Sequence, residues 1–148
     1  VRTAVGRLCG AASAAVLLAC TGSAPPPVAV TEVPTASAEA CARFAARLPA
    51  SLGKGLQRRR TTPEDPHVAA YGDPAVVVRC GAPPSTAYQR GDQLFTVNGV
   101  GWFAEERPDV VVWSLPRAFV NVSVTIPRRW TGDRLALLTD AVRALTST

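Results

Sequence analysis

Residues 71–81, read Tyr-Gly-Asp-Pro-Ala-Val-Val-Val-Arg-Cys-Gly, set the tightest limit on what this chain can become. Gly72-Asp73-Pro74 is turn chemistry: glycine tolerates positive φ and proline presets a bend. Ala75 to Cys80 is a short β-branched run. It places Val76, Val78 and Cys80 on one face and Val77 and Arg79 on the other. Gly81-Ala82-Pro83-Pro84 stops it. A strand with one apolar face, ending in a cysteine, needs a covering layer and a second thiol within reach.

The origin of that thiol follows from the N-terminal segment. Arg2 and Arg7 precede an uncharged run from Leu8 to Ala19. This run is shorter than the about 20 residues that span a bilayer and suits the apolar region of an export signal. It ends Leu17-Leu18-Ala19-Cys20, which resembles the bacterial lipobox, with the Cys20 thiol as acceptor of a diacylglycerol group and small Ala19 giving the signal peptidase access. An ordinary secretory cleavage site or an uncleaved anchor are the alternatives. The chain lacks Met, so Val1 is read as an alternative start codon. Residues 20–37, with Pro25-Pro26-Pro27 and Pro34, read as a proline-rich extended tether. The expected organisation is a signal over 1–19, a tether over 20–37 and a single domain over 38–148.

Of four cysteines, Cys9 would leave with the signal and Cys20 would carry lipid. Cys41 and Cys80 remain, in an oxidising compartment, and are expected to form a disulfide. Two free buried thiols or a redox pair are the alternatives, without support from a C-x-x-C spacing or a neighbouring His. Ser37 can cap a helix running from Ala38 to Leu48 and ended by Pro49, with Cys41, Phe44, Ala45 and Leu48 on one stripe.

Residues 51–66 read as a long polar loop containing Arg58-Arg59-Arg60. A strand over 93–97, the tight turn Asn98-Gly99 and a return over 100–104 form a hairpin. Glu105 to Asp109 breaks the pattern. Val110 to Leu115 and Ala118 to Ile126 form a second antiparallel pair around Pro116-Arg117. In the latter strand Ala118, Val120, Val122, Val124 and Ile126 point inward and Asn121, Ser123 and Thr125 outward. A last helix starts near Thr131-Gly132-Asp133 and buries Leu135, Leu138, Val142 and Leu145. The fold expected is α+β: an antiparallel sheet of four to five strands, an N-terminal and a C-terminal helix packed on one face, and one disulfide.

Cys41 with Leu48-Pro49, the 71–81 stretch, Val97-Asn98-Gly99-Val100-Gly101-Trp102-Phe103 and Val120-Asn121-Val122-Ser123-Val124-Thr125-Ile126-Pro127 together resemble an actinobacterial family of exported proteins, domain of unknown function 3515. The resemblance covers most of 38–145, with Tyr71 where the family pattern has Trp. It implies a cell-envelope protein, usually a lipoprotein or membrane protein. It implies no activity and carries over no functional residue.

The net charge is +5, and every basic residue except Lys54 is Arg. With abundant Ala, Val, Pro and Gly this skew reads as GC-rich coding. Basic–aromatic interleaving is missing, so nucleic acid is not an expected partner. His67 is the sole histidine and has no ligand-spaced neighbours, so neither metal nor cofactor is expected. Asp73, Arg79, Trp102 and Arg117 are the candidate binding residues. Their plainer readings are a turn former for Asp73, a surface or ion-paired strand residue for Arg79 and a packing residue for Trp102. The function expected is a lipid-anchored binding or accessory module on the outer face of the cytoplasmic membrane, with an envelope protein as partner. The alternative is a cell-wall-acting enzyme using Asp73 with the loop carboxylates Glu105 and Glu106.

Overall fold

Strand-forming residues dominate the middle of the chain, and they pair into one antiparallel sheet. The computed structural model describes residues 24–32 and 37–145. The expected signal and the acceptor Cys20 lie outside them. Along the chain come β1 (Val28–Ala29), α1 (Ala38–Ala46), β2 (Arg58–Arg59), β3 (Thr61–Thr62), β4 (Val68–Tyr71), β5 (Val76–Cys80), β6 (Phe95–Val97), β7 (Val100–Glu106), β8 (Val110–Ser114), β9 (Val122–Pro127), a 3-10 helix (Gly132–Leu138) and α2 (Thr139–Arg143). Seven strands join in the order β2-β4-β5-β9-β8-β7-β6. The fold is α+β with two helices and one disulfide.

The expected four to five strands become seven because β4 and β2 carry no strand pattern of their own. In β4 all four residues are buried, so it has no alternation, and its Val-Ala-Ala-Tyr sequence is not strongly β-branched. β2 is two arginines at a sheet edge, held by pairing of Arg58 with Tyr71 and Arg59 with Ala70. The supposed loop over 51–66 is therefore partly sheet.

Gly72 links β4 to β5. Its φ of +70° is open to glycine, and a Cβ there would stand 2.4 Å from Leu56 Cδ2 and 2.8 Å from the Gly55 carbonyl oxygen. Around this turn the Gly72 N–H donates to the Gln57 carbonyl, Arg59 donates to the Gly72 carbonyl and the Trp130 indole donates to the Pro74 carbonyl. The β4–β5 turn is thus gripped by three hydrogen bonds from two parts of the chain, Gln57 to Arg59 and Trp130.

Val76, Val78, Cys80, Val122, Val124 and Ile126 form the dry face of the sheet. Cys41 and Phe44 of α1 and Leu135, Leu138, Ala141 and Val142 of the C-terminal segment cover it. Cys41 is bonded to Cys80, with their Cα atoms 5.6 Å apart. α1 also packs against α2. The C-terminal helix differs from expectation. Its first half is 3-10 and only Thr139–Arg143 is α-helical. Gly132, Leu135 and Leu138 recur every three residues, the spacing at which a 3-10 helix stacks its side chains. Gly132 lets this segment approach the Trp113 ring, which a Cβ would meet at 2.9 Å.

Two further expectations change. Asn121 does not point outward. It is buried just before β9, accepting from the Leu115 N–H at 3.1 Å and donating to the Ala82 and Pro83 carbonyls at 2.8 and 3.1 Å. Strand alternation fails there because the chain turns from Leu115 into β9, and Phe119 is left 94% exposed. Glu105 and Glu106 are not loop residues but the end of β7, so they face opposite sides of the sheet.

Part of the proline-rich segment lies against the domain. Val28 pairs with Thr61 and Ala29 with Thr62 in a parallel bridge. Val28 N–H donates to the Arg60 carbonyl and Val30 N–H to the Thr62 carbonyl, both at 2.9 Å. The Arg59 guanidinium donates to the Pro26 carbonyl. Val30 packs with Val77 against buried Val68 and Ala82 on the sheet face away from the helices.

Candidate functional site

That second face is where polar chemistry collects. Strand register fixes it: Arg79 pairs with Ser123, and Ser123 pairs with Ser114. These three side chains form one rung across β5, β9 and β8. The next rung carries Val77, Thr125, Val112 and Glu105. Opposed residues on neighbouring strands have Cβ atoms about 5 Å apart, so each side chain of a rung is in contact range of the one beside it. Residues of both rungs line a groove of about 330 Å³, with Pro83 to Thr86 forming its rim.

One group in this groove is buried and unsatisfied, and a second, partly exposed one lacks a protein partner. Ser114 is 1% exposed and its Oγ has no hydrogen-bond partner. A buried donor without a partner costs about 1–3 kcal/mol, so its survival in a folded protein asks for a reason. The Arg79 guanidinium, half-buried, makes no hydrogen bond or ion pair among the described residues, and burial lowers its pKa. Its neighbours across the strands are Val68 on β4 and the Ser123 hydroxyl on β9, not carboxylates.

Glu105, by contrast, is fully engaged. It accepts from the Arg107 Nε at 2.8 Å and from the Ser85 hydroxyl. The Arg107 hydrogen bond first, then the Ser85 hydrogen bond, hold its carboxyl below the ordinary range, against an opposing effect of burial; the Arg107 charge adds to the lowering. A depressed carboxylate contributes stability that is fully present above the unfolded value of about 4.3 and is lost as pH falls through the lower folded value. In urea titrations from pH 7 to pH 2, Glu105→Gln is expected to flatten the acid limb of the stability curve. An unchanged acid limb would contradict the assignment.

The other candidates are dispersed. Asp73 is exposed in the β4–β5 turn and does not line the groove. β9 and β8 separate its hairpin from Glu105, while Glu106 pairs with Arg128 at 2.6 Å. Trp102 is 1% exposed on the helix-covered face. Arg117 donates to the Tyr88 hydroxyl at 3.3 Å and lines a different groove, beside Leu94 and Val142. Arg79 alone of the four stands in the polar groove. Ser114 is not among the expected residues because it closes an apolar run; a lone hydroxyl within Val110 to Leu115 is its one sequence signal.

Among the described residues no group of three or more His, Cys, Asp or Glu is placed to hold a metal ion, and no helix is long and apolar enough to cross a membrane. A family model described as "Protein of unknown function (DUF3515)" matches residues 1–148. No curated protein and no solved structure matches the chain.

Proposed function

For a chain that belongs to DUF3515, a family of proteins of unknown function, we propose the role of a binding or accessory module of the cell envelope, anchored by lipid at Cys20. The observation that supports binding is the polar groove, where the Arg79 guanidinium and the buried Ser114 hydroxyl stand without protein partners. Unpaired donors gathered on the uncovered face of a rigid sheet suit recognition, because the sheet fixes their spacing before a ligand arrives. The Leu17-Leu18-Ala19-Cys20 sequence supports the anchor. The disulfide agrees with an oxidising compartment.

Cys20→Ala tests the anchor by fractionation of expressing cells. The variant is expected either in the medium or as unprocessed precursor. Normal processing with full membrane retention would overturn the lipoprotein reading. Crosslinking in intact cells tests the accessory role, which predicts a discrete adduct with another envelope component.

A further inference from the structure

Resting on the binding-module reading, we infer that the Arg79–Ser123–Ser114 rung is a binding site for a ligand bearing a carboxylate. A guanidinium presents parallel N–H donors that match the two oxygens of a carboxylate. The rung adds two hydroxyls, Ser123 on the adjoining β9 and, one strand further on β8, the buried, unpartnered Ser114 Oγ. An oxyanion seated there would satisfy the hydroxyl and pair the guanidinium at once. Both groups are already partly removed from water, which strengthens a charged hydrogen bond and lowers the cost of forming it.

The next rung narrows the ligand. Val112 offers an apolar wall, and the Glu105 carboxylate adds negative charge within the same groove. Arg107 offsets that charge at 2.8 Å, so the groove retains about one unpaired positive charge, at Arg79. A single-charged carboxylate matches this balance, whereas a phosphate dianion would meet Glu105 without a second free cation. The groove of about 330 Å³ admits a short segment rather than an isolated ion. Two sources share this chemistry: the free C-terminus of a peptide and an acidic sugar.

The test titrates the ¹⁵N-labelled full chain in detergent micelles with acetyl-alanyl-alanine, with glucuronate and with inorganic phosphate, at constant ionic strength. The expected result is saturable movement of the Arg79 Nε–H, Ser123 and Ser114 signals with at least one carboxylate, and which arm responds identifies the source. Arg79→Gln is expected to weaken binding by about tenfold to a hundredfold, the loss typical of a hydrogen bond to a charged group. Ser114→Ala is expected to weaken binding by several-fold while leaving the unfolding midpoint unchanged or higher. A Ser114→Ala chain that is less stable yet binds fully would mark the hydroxyl as structural and overturn the site. Tighter binding of phosphate than of both carboxylates would overturn the ligand class and leave the binding-module reading standing. No response to any probe would overturn the site itself, while an in-cell crosslink would still support the accessory role.

Discussion

Replacing Cys41 and Cys80 together by alanine is expected to lower the unfolding free energy by about 4 kcal/mol. The bond closes a loop across a sequence separation of 39 residues, and freeing it restores chain entropy to the unfolded state. Both sulfurs are fully buried between α1 and β5, so small voids add to the loss. Small domains are stable by only about 5–15 kcal/mol, so a large share of the fold rests on this link. Denaturant titrations of the oxidised chain and of the alanine pair, each extrapolated to water with its own slope because the freed unfolded chain exposes more surface, would measure it. A difference under 1 kcal/mol would show that α1 holds its place through Phe44 and its contacts with α2 without the covalent bond.

Trp102→Ala is expected to cost about 3–5 kcal/mol. Trp102 sits on β7 opposite Phe95 and is 1% exposed within the main core, among the largest fully buried side chains. Its removal leaves a hollow that flanking strands, fixed by backbone pairing, cannot close. Trp102→Phe should lose less, because part of the ring volume remains. Since Trp102 lies across the sheet from the Arg79 rung, Trp102→Phe is also expected to leave carboxylate affinity unchanged. A chain that keeps its stability but loses affinity on substitution would return Trp102 to the list of recognition residues.

The sequence made some of this legible, for physical reasons specific to each stretch. Val76, Val78 and Cys80 are buried as their alternation requires, and Val77 and Arg79 are not. Asn98 and Gly99 take φ of 49° and 81° and join paired Val97 and Val100, as an Asn-Gly hairpin should. Other features depended on partners that sequence alone does not name. β4 carries no periodic signal because both of its faces are covered. Asn121 breaks an apparently clean strand because the carbonyls it serves belong to Ala82 and Pro83. The groove was half visible: Arg79, Ser123 and Thr125 could be placed on an outward face, but the alignment of Arg79 with Ser114 is set by register through β9 between them. Tyr71 shows the same limit. It reads as the start of a turn, yet its hydroxyl donates to the Pro49 carbonyl at 2.9 Å and receives Arg58 at 3.4 Å, while burial raises its pKa against the lowering effects of Arg58.

The parallel bridge between Val28–Ala29 and Thr61–Thr62 has a consequence for orientation. A chain leaving the domain through a free coil transmits position but not direction, because the coil swivels. Here the segment upstream of α1 is laid along β3 and held by two backbone hydrogen bonds and the Arg59 guanidinium. Val30 rests on the same side of the sheet as Arg79, against Val68 and Ala82. The described segment from residue 24 to residue 30 therefore leaves the domain at a fixed bearing to the polar groove. A partner that took hold of Val28 to Val30 directly would meet the groove at a set angle rather than through a swivelling joint.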